Sequence, residues 1–227
     1  MFKSTLLTIC CATVLLCSCS QEPTYSCDKT IDNWVKENIN DIQTMSRDEW
    51  LNTTEALAIP IYRAFTPEQR VSFWQVKMEE IKQLPLNDAE IAHIDELISF
   101  INNHTSFFSD DGLNDSQLNT LEIFAYTWAQ KSIKTLGWSE SFVNSIIASG
   151  NKVLNKNGEI KPFANTKGAQ LLAAGEVCHC NQTFDFCGSG EECTENSCDV
   201  SAYGCGIMLL NECNGYCIPD WKIKPKY

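Results

Sequence analysis

The chain has 227 residues, 13 of them cysteine, and a formal net charge of −12. That acidity disfavours nucleic acid and anionic membrane surfaces as partners, and no nucleic-acid partner is expected. An apolar share of 44% provides for a sizeable core, enough for one or two domains.

Met1-Phe2-Lys3 is a short basic start, Leu6 to Leu16 an apolar run, and Leu16-Cys17-Ser18-Cys19 a small-residue site followed by cysteine. The run is too short to cross about 30 Å of hydrocarbon as a helix, and polar Ser20-Gln21-Glu22-Pro23 follows at once. This pattern resembles a bacterial lipoprotein signal. The resemblance implies removal of residues 1–18 and acylation of Cys19, with the lipoprotein-processing enzymes and the membrane, reached through the lipid anchor, as partners. It also implies the bacterial cell envelope, at the outer membrane or cell surface. Cys17 is the poorer acceptor because bulky Leu16 precedes it, and an ordinary signal peptide with chance cysteines is the plainer alternative. Residues 19–30 lack apolar periodicity and read as a tether. Cys27 within it is the odd thiol, to be linked to another chain if the remaining cysteines pair among themselves.

From residue 31 to about 150 the apolar spacing is helical, beginning with Ile31, Trp34, Val35, Ile39 and Ile42. Ser46-Arg47-Asp48-Glu49 has the form of a capping box, and Pro60 is expected to kink or end the element after it. Thr66-Pro67-Glu68-Gln69 sets a capping hydroxyl, a first-turn proline and a glutamine ahead of Val71, Trp74, Met78 and Ile81. Asn87-Asp88-Ala89-Glu90 and Asn114-Asp115-Ser116-Gln117 open two further helices, and Phe142 to Ile147 forms a short one. Stripes of this kind joined by short polar links predict an antiparallel bundle whose core includes Trp34, Trp74, Ile98 and Trp128. In residues 151–177, Lys152 to Phe163 reads as a small hairpin turning at Asn157-Gly158, and the rest reads as an accessible linker.

Residues 178–227 form the most specialised segment. Cys178, Cys180, Cys187, Cys193, Cys198, Cys205, Cys213 and Cys217 fall among Gly, Asn, Ser, Glu and Asp, with few large apolar groups. So short a segment needs staples, and four disulfides would supply roughly 2–4 kcal/mol each. Spacing leaves about 105 pairings open. Cys178-His179-Cys180, Asp185-Phe186-Cys187, Gly204-Cys205-Gly206 and Cys213-Asn214-Gly215 together resemble the bacteriocin fulvocin C and the larger precursor-like proteins related to it. The resemblance implies a disulfide-rich peptide at the C-terminus of a longer secreted chain. It departs from a cationic antimicrobial pattern, because residues 178–217 hold six acidic side chains and no Lys or Arg.

The expected fold is therefore mainly α, a helical bundle followed by a small disulfide-rich C-terminal module with little regular structure. Cys178-His179-Cys180 has a zinc reading, and Ser109-Asp110-Asp111-Gly112 a calcium-loop reading. The even cysteine set of an exported chain outweighs the first, and the missing twelve-residue spacing the second, so neither a metal nor a cofactor is expected. The alternating tail Trp221 to Tyr227 reads as an edge strand or as membrane-interface contact. His93 and His104 belong to no catalytic motif, and no enzyme is expected. Two functions follow. In one, the chain is an exported precursor whose bundle carries the module until proteolysis near Ala174-Gly175 releases it. In the other, it is an intact envelope lipoprotein whose module binds an extracellular protein or glycan.

Overall fold

The computed structural model describes residues 23–26, 28–164, 180–181, 191–195 and 203–219. Among them the chain is mainly helical. The helices are α1 (Lys29–Glu37), α2 (Ile39–Ile42), α3 (Arg47–Trp50), α4 (Glu55–Ala64), α5 (Pro67–Ile81), α6 (Asp88–Asn103), α7 (Asp115–Lys134) and α8 (Glu140–Ile147). A 3₁₀ turn, Thr105–Phe108, follows α6, and a second, Ile207–Leu209, lies in the cysteine-rich segment. Two short strands, β1 (Glu191–Glu195) and β2 (Gly215–Pro219), pair antiparallel with Cys193 opposite Cys217.

Local chemistry starts four helices where the sequence predicts, although the element read from Ser46 through Ile61 breaks after Trp50 and restarts at Glu55. Ser46, Thr66, Asn87 and Asn114 each accept from the backbone amide three residues on, and the glutamate or glutamine there reaches back, forming four reciprocal capping boxes. Asp28 caps α1 through the amides of Thr30 and Ile31, inside the stretch read as a tether, and Tyr25 and Ser26 already donate backbone amides to Asp32. Pro60 does not end α4, which runs on to Ala64. The lost amide falls in the second turn, and burial of Pro60, Ile61 and Tyr62 against the core holds the helix together past it.

Helix α5 is the organising element, packed against α6 and the 3₁₀ turn, while α1 packs on α4 and α7 on α8. Its buried face is Arg70, Phe73, Trp74, Lys77, Met78 and Ile81, so the expected stripe carries two basic side chains as well as its apolar groups. Lys77 Nζ donates to Ser145 O at 2.7 Å and to Ser149 O, and Arg47 donates to Gly150 O at 2.8 Å. These basic groups donate to carbonyls at and just beyond the end of α8, and burial pushes the Lys77 amine well below its ordinary value. Trp74 and Trp128 are buried in the core, whereas Trp34 and Ile98 only pack on its margin. Full burial of each Ile, Phe or Met contributes roughly 1.5–3 kcal/mol. After α8 the hairpin forms through the Val153–Ile160 bridge, but residues 155–158 make its turn. Gly158 takes its last position, at φ 82°, instead of the centre of a two-residue loop.

Candidate functional site

The cysteine-rich segment is joined to the bundle through residues 203–215. Their loop is closed by the Cys205–Cys213 disulfide, across a sequence separation of 8, and by reciprocal backbone hydrogen bonds between Cys205 and Asn211. Asn211 Oδ1 also accepts from the Ile207 amide at 2.9 Å, stitching the inside of the turn. The Gly-Cys-Gly triplet is a steric requirement. A Cβ on Gly206, at φ 67°, would stand 2.3 Å from Asn211 Oδ1, and one on Gly204, at φ 120°, would stand 2.7 Å from Arg63 Nε. Met208 and Leu209 are held at φ 50° and 55°, left-handed backbone that costs roughly 1–3 kcal/mol for each side chain bearing a Cβ.

That cost is offset by burial. Met208 is 0% exposed, and Tyr203, Ile207, Leu209 and Leu210 lie with it in the same hydrophobic cluster as the helices. The apolar groups that are too few for a core of their own thus complete the core of the bundle. The placement joins residues 203–210 to the helices that precede the cysteine-rich segment.

Helices α4 and α5 read the loop through its polar atoms. Tyr62 OH donates to Met208 O at 3.3 Å while accepting from the Trp74 indole at 3.0 Å. Arg63 Nε donates to Tyr203 O at 3.1 Å, and Tyr203 OH donates to Arg63 O at 2.9 Å. Arg70 lies beneath the Tyr203 ring, its guanidinium carbon 4.1 Å from the centroid. Its Nη2 is 2.6 Å from Tyr203 OH, Phe65 O and Asp110 Oδ1, and its Nη1 donates to Phe108 O at 2.7 Å. Asp110 is largely in water, so the buried cation depends on these carbonyls and the phenol more than on its ion pair. Burial pushes the Tyr203 hydroxyl up to about 12, with the nearby guanidiniums pulling the other way, so it bonds as a neutral phenol.

The expected disulfide residues divide as follows. Cys180 pairs with Cys193 and Cys205 with Cys213, giving two disulfides among the described residues. Cys217 lies on β2 opposite Cys193, and its backbone alone is described. Cys178, Cys187 and Cys198 lie outside the described residues, as do Cys19, Cys27, Ala174, Gly175 and the tail from Trp221. The Cys180–Cys193 bridge buttresses the β1–β2 ladder, where Cys180 also exchanges backbone hydrogen bonds with Gly215.

Away from the loop, His93 stacks on Trp128 with ring centroids 4.6 Å apart. Its Nδ1 meets Glu96 at 2.9 Å and its Nε2 meets Ser132 Oγ at 2.8 Å. The order Ser-His-Glu has the look of a nucleophile array, but Ser132 is 0% exposed and its hydroxyl donates to Trp128 O. The array cross-links α6 to α7 inside the bundle. Asp110, from the stretch weighed as a calcium loop, holds Arg70. Among the described residues no group of three His, Cys, Asp or Glu side chains gathers as a metal site, and no helix is long and apolar enough to cross a membrane.

Sequence reasoning missed Arg63 and Arg70. The signal was present for Arg70, which falls one turn before Phe73 and Trp74 on the buried stripe of α5. An arginine at such a position needs buried acceptors, and loop carbonyls and a phenol supply them. Comparison with protein-family models, with curated proteins and with solved structures finds no match to this chain.

Proposed function

We propose that the chain is an exported lipoprotein of the bacterial cell envelope, anchored through Cys19, that works intact, with its fulvocin C-like cysteine-rich segment docked on the helical bundle and available to an extracellular protein or glycan. The observation that carries the intact reading is the burial of Tyr203 and Ile207 to Leu210 in the helical core. Cutting the segment away near Ala174-Gly175 would take five apolar side chains out of that core and leave Arg70 without the phenol it bonds. A released peptide would carry the same groups into water together with the left-handed Met208 and Leu209. The acidic composition of residues 178–217 also favours a binding role over membrane attack.

Mass spectrometry of membrane and medium fractions tests this, together with labelled fatty-acid incorporation. Full-length acylated protein in the membrane fraction, with label lost in Cys19→Ala, is the expected result. A medium fragment beginning near Cys178 would establish the precursor instead, and persistent label in Cys19→Ala would remove the anchor assignment.

A further inference from the structure

We propose that the Cys205–Cys213 disulfide is an oxidation-set latch for the helical core: until it forms, the loop from Tyr203 to Leu210 does not seat, and α4 and α5 keep an open apolar face.

The loop cannot hold its seated shape by its own side chains. Ile207, Met208, Leu209 and Leu210 all turn into the bundle, and Met208 and Leu209 do so only in left-handed backbone that a free chain abandons. The bundle in turn has buried donors, Tyr62 OH and Arg63 Nε, whose acceptors are the carbonyls of Met208 and Tyr203. Each part therefore lacks what the other supplies. These contacts join residues 146 and 140 positions apart, so the docked loop must be pre-shaped for its burial to outweigh the cost of ordering it. A bond across 8 positions does that shaping, by removing open conformations of the loop before it docks.

The chemistry is a thiol–disulfide exchange with a small or protein disulfide as oxidant. The Cys205 or Cys213 thiolate attacks one sulfur of the oxidant to form a mixed disulfide, and the partner thiolate attacks the cysteine sulfur of that mixed disulfide, displacing the oxidant's remaining thiolate. One S–S bond breaks and one forms, two electrons pass to the oxidant, and it leaves as two thiols carrying the two protons. Once docked, Cys205 is 3% and Cys213 0% exposed, so a reductant's thiolate reaches neither sulfur until the loop withdraws. The latch closes easily and reopens only with the core. A chain that must cross a membrane before folding gains from this order, because its core stays incomplete while thiols are kept reduced. That use rests on the export proposed above, whereas the latch does not.

The test is hydrogen exchange on the full chain, refolded either with dithiothreitol or in a glutathione redox buffer. The expected result is exchange of α4 and α5 amides at least about tenfold faster in the reduced protein. In the redox buffer, the double variant Cys205→Ser/Cys213→Ser should match the reduced protein, and Cys180→Ser/Cys193→Ser should keep most of the protection. Should the first variant fail to fold, oxidised wild-type protein challenged with dithiothreitol decides the matter. Cys205 and Cys213 should then become alkylatable only as α4 and α5 lose protection. Helical protection within about twofold in the reduced and oxidised proteins would overturn the latch, as would equal losses in the two double variants. Neither result depends on whether Cys19 is acylated.

Discussion

Met208→Ala separates a loop that completes the helical core from one that merely lies beside it. Met208 is fully buried, and its carbonyl accepts from Tyr62. Alanine keeps that carbonyl and the left-handed φ, so the change isolates the side chain. Truncating a buried methionine costs about 2–5 kcal/mol, and the lack of any exposure at the site argues against easy collapse of the cavity. Taking about 3 kcal/mol, and 2–4 °C per kcal/mol for a chain of this size, the midpoint should fall by roughly 6–12 °C. The assay is thermal unfolding followed by far-ultraviolet circular dichroism, a signal dominated by α1 to α8 and nearly blind to the loop itself. Ile123→Ala, at a side chain 60% exposed on α7, is the control and should stay within about 1 °C. If the helical midpoint of Met208→Ala matches that control, the loop is an independent module and its burial contributes nothing to the bundle.

Arg70→Met should destabilise the chain by about 3 kcal/mol in urea unfolding, because Phe65 O, Phe108 O and Tyr203 OH lose their donor. Arg70→Lys should recover only part of this, since an ammonium cannot span the same fork, and recovery in full would refute the geometry. Asp110→Asn should change stability by under about 1 kcal/mol, its carboxylate being largely in water. For pH, burial holds His93 below its ordinary value of 6.5 despite the opposing pull of Glu96. The unfolded chain then takes up the proton first, so His93 contributes fully above 6.5 and stability falls as pH drops from there toward the lowered folded value. Urea midpoints at about pH 7.5 and 5.5 should show this drop, and His93→Gln should flatten it; an unchanged slope in the variant would assign the drop elsewhere.

The helical part was legible because its signals are local. Thr66 with Gln69, Asn87 with Glu90 and Asn114 with Gln117 state a helix start within four residues, and all three form the reciprocal bonds they imply. Pro60 does not end α4 because a missing amide is a local penalty, while the burial of Ile61 and Tyr62 that outweighs it is tertiary. The same divide explains the loop. The few large apolar groups of the segment point to a need for staples, and five of them, Tyr203, Ile207, Met208, Leu209 and Leu210, lie in the helical core. Composition could not show that another part of the chain has a place for them. Arg70 offered the one sequence trace of that place, a cation on an apolar stripe, and its partners come from α4, the turn before α7 and the cysteine-rich loop.

The disulfide and the docked core reinforce one another through a difference in scale. Closing 8 positions with a covalent bond removes roughly 2–3 kcal/mol of unfolded-state entropy, an effect confined to the loop if the loop stood alone. Because Met208 and Leu209 must occupy left-handed backbone to reach the core, loop shape and core completion are one event. Stabilisation of the loop is then felt at Tyr62, which donates to Met208 O, and through it at Trp74, whose indole donates to the Tyr62 hydroxyl in the centre of the bundle. The glycines at 204 and 206 serve the same end: they let the turn come within van der Waals range of Arg63 and Asn211, where any Cβ would hold it off. A short cross-linked turn thereby acts as a core element of a helical protein, while the Cys180–Cys193 bridge and the β1–β2 ladder stay with the cysteine-rich segment.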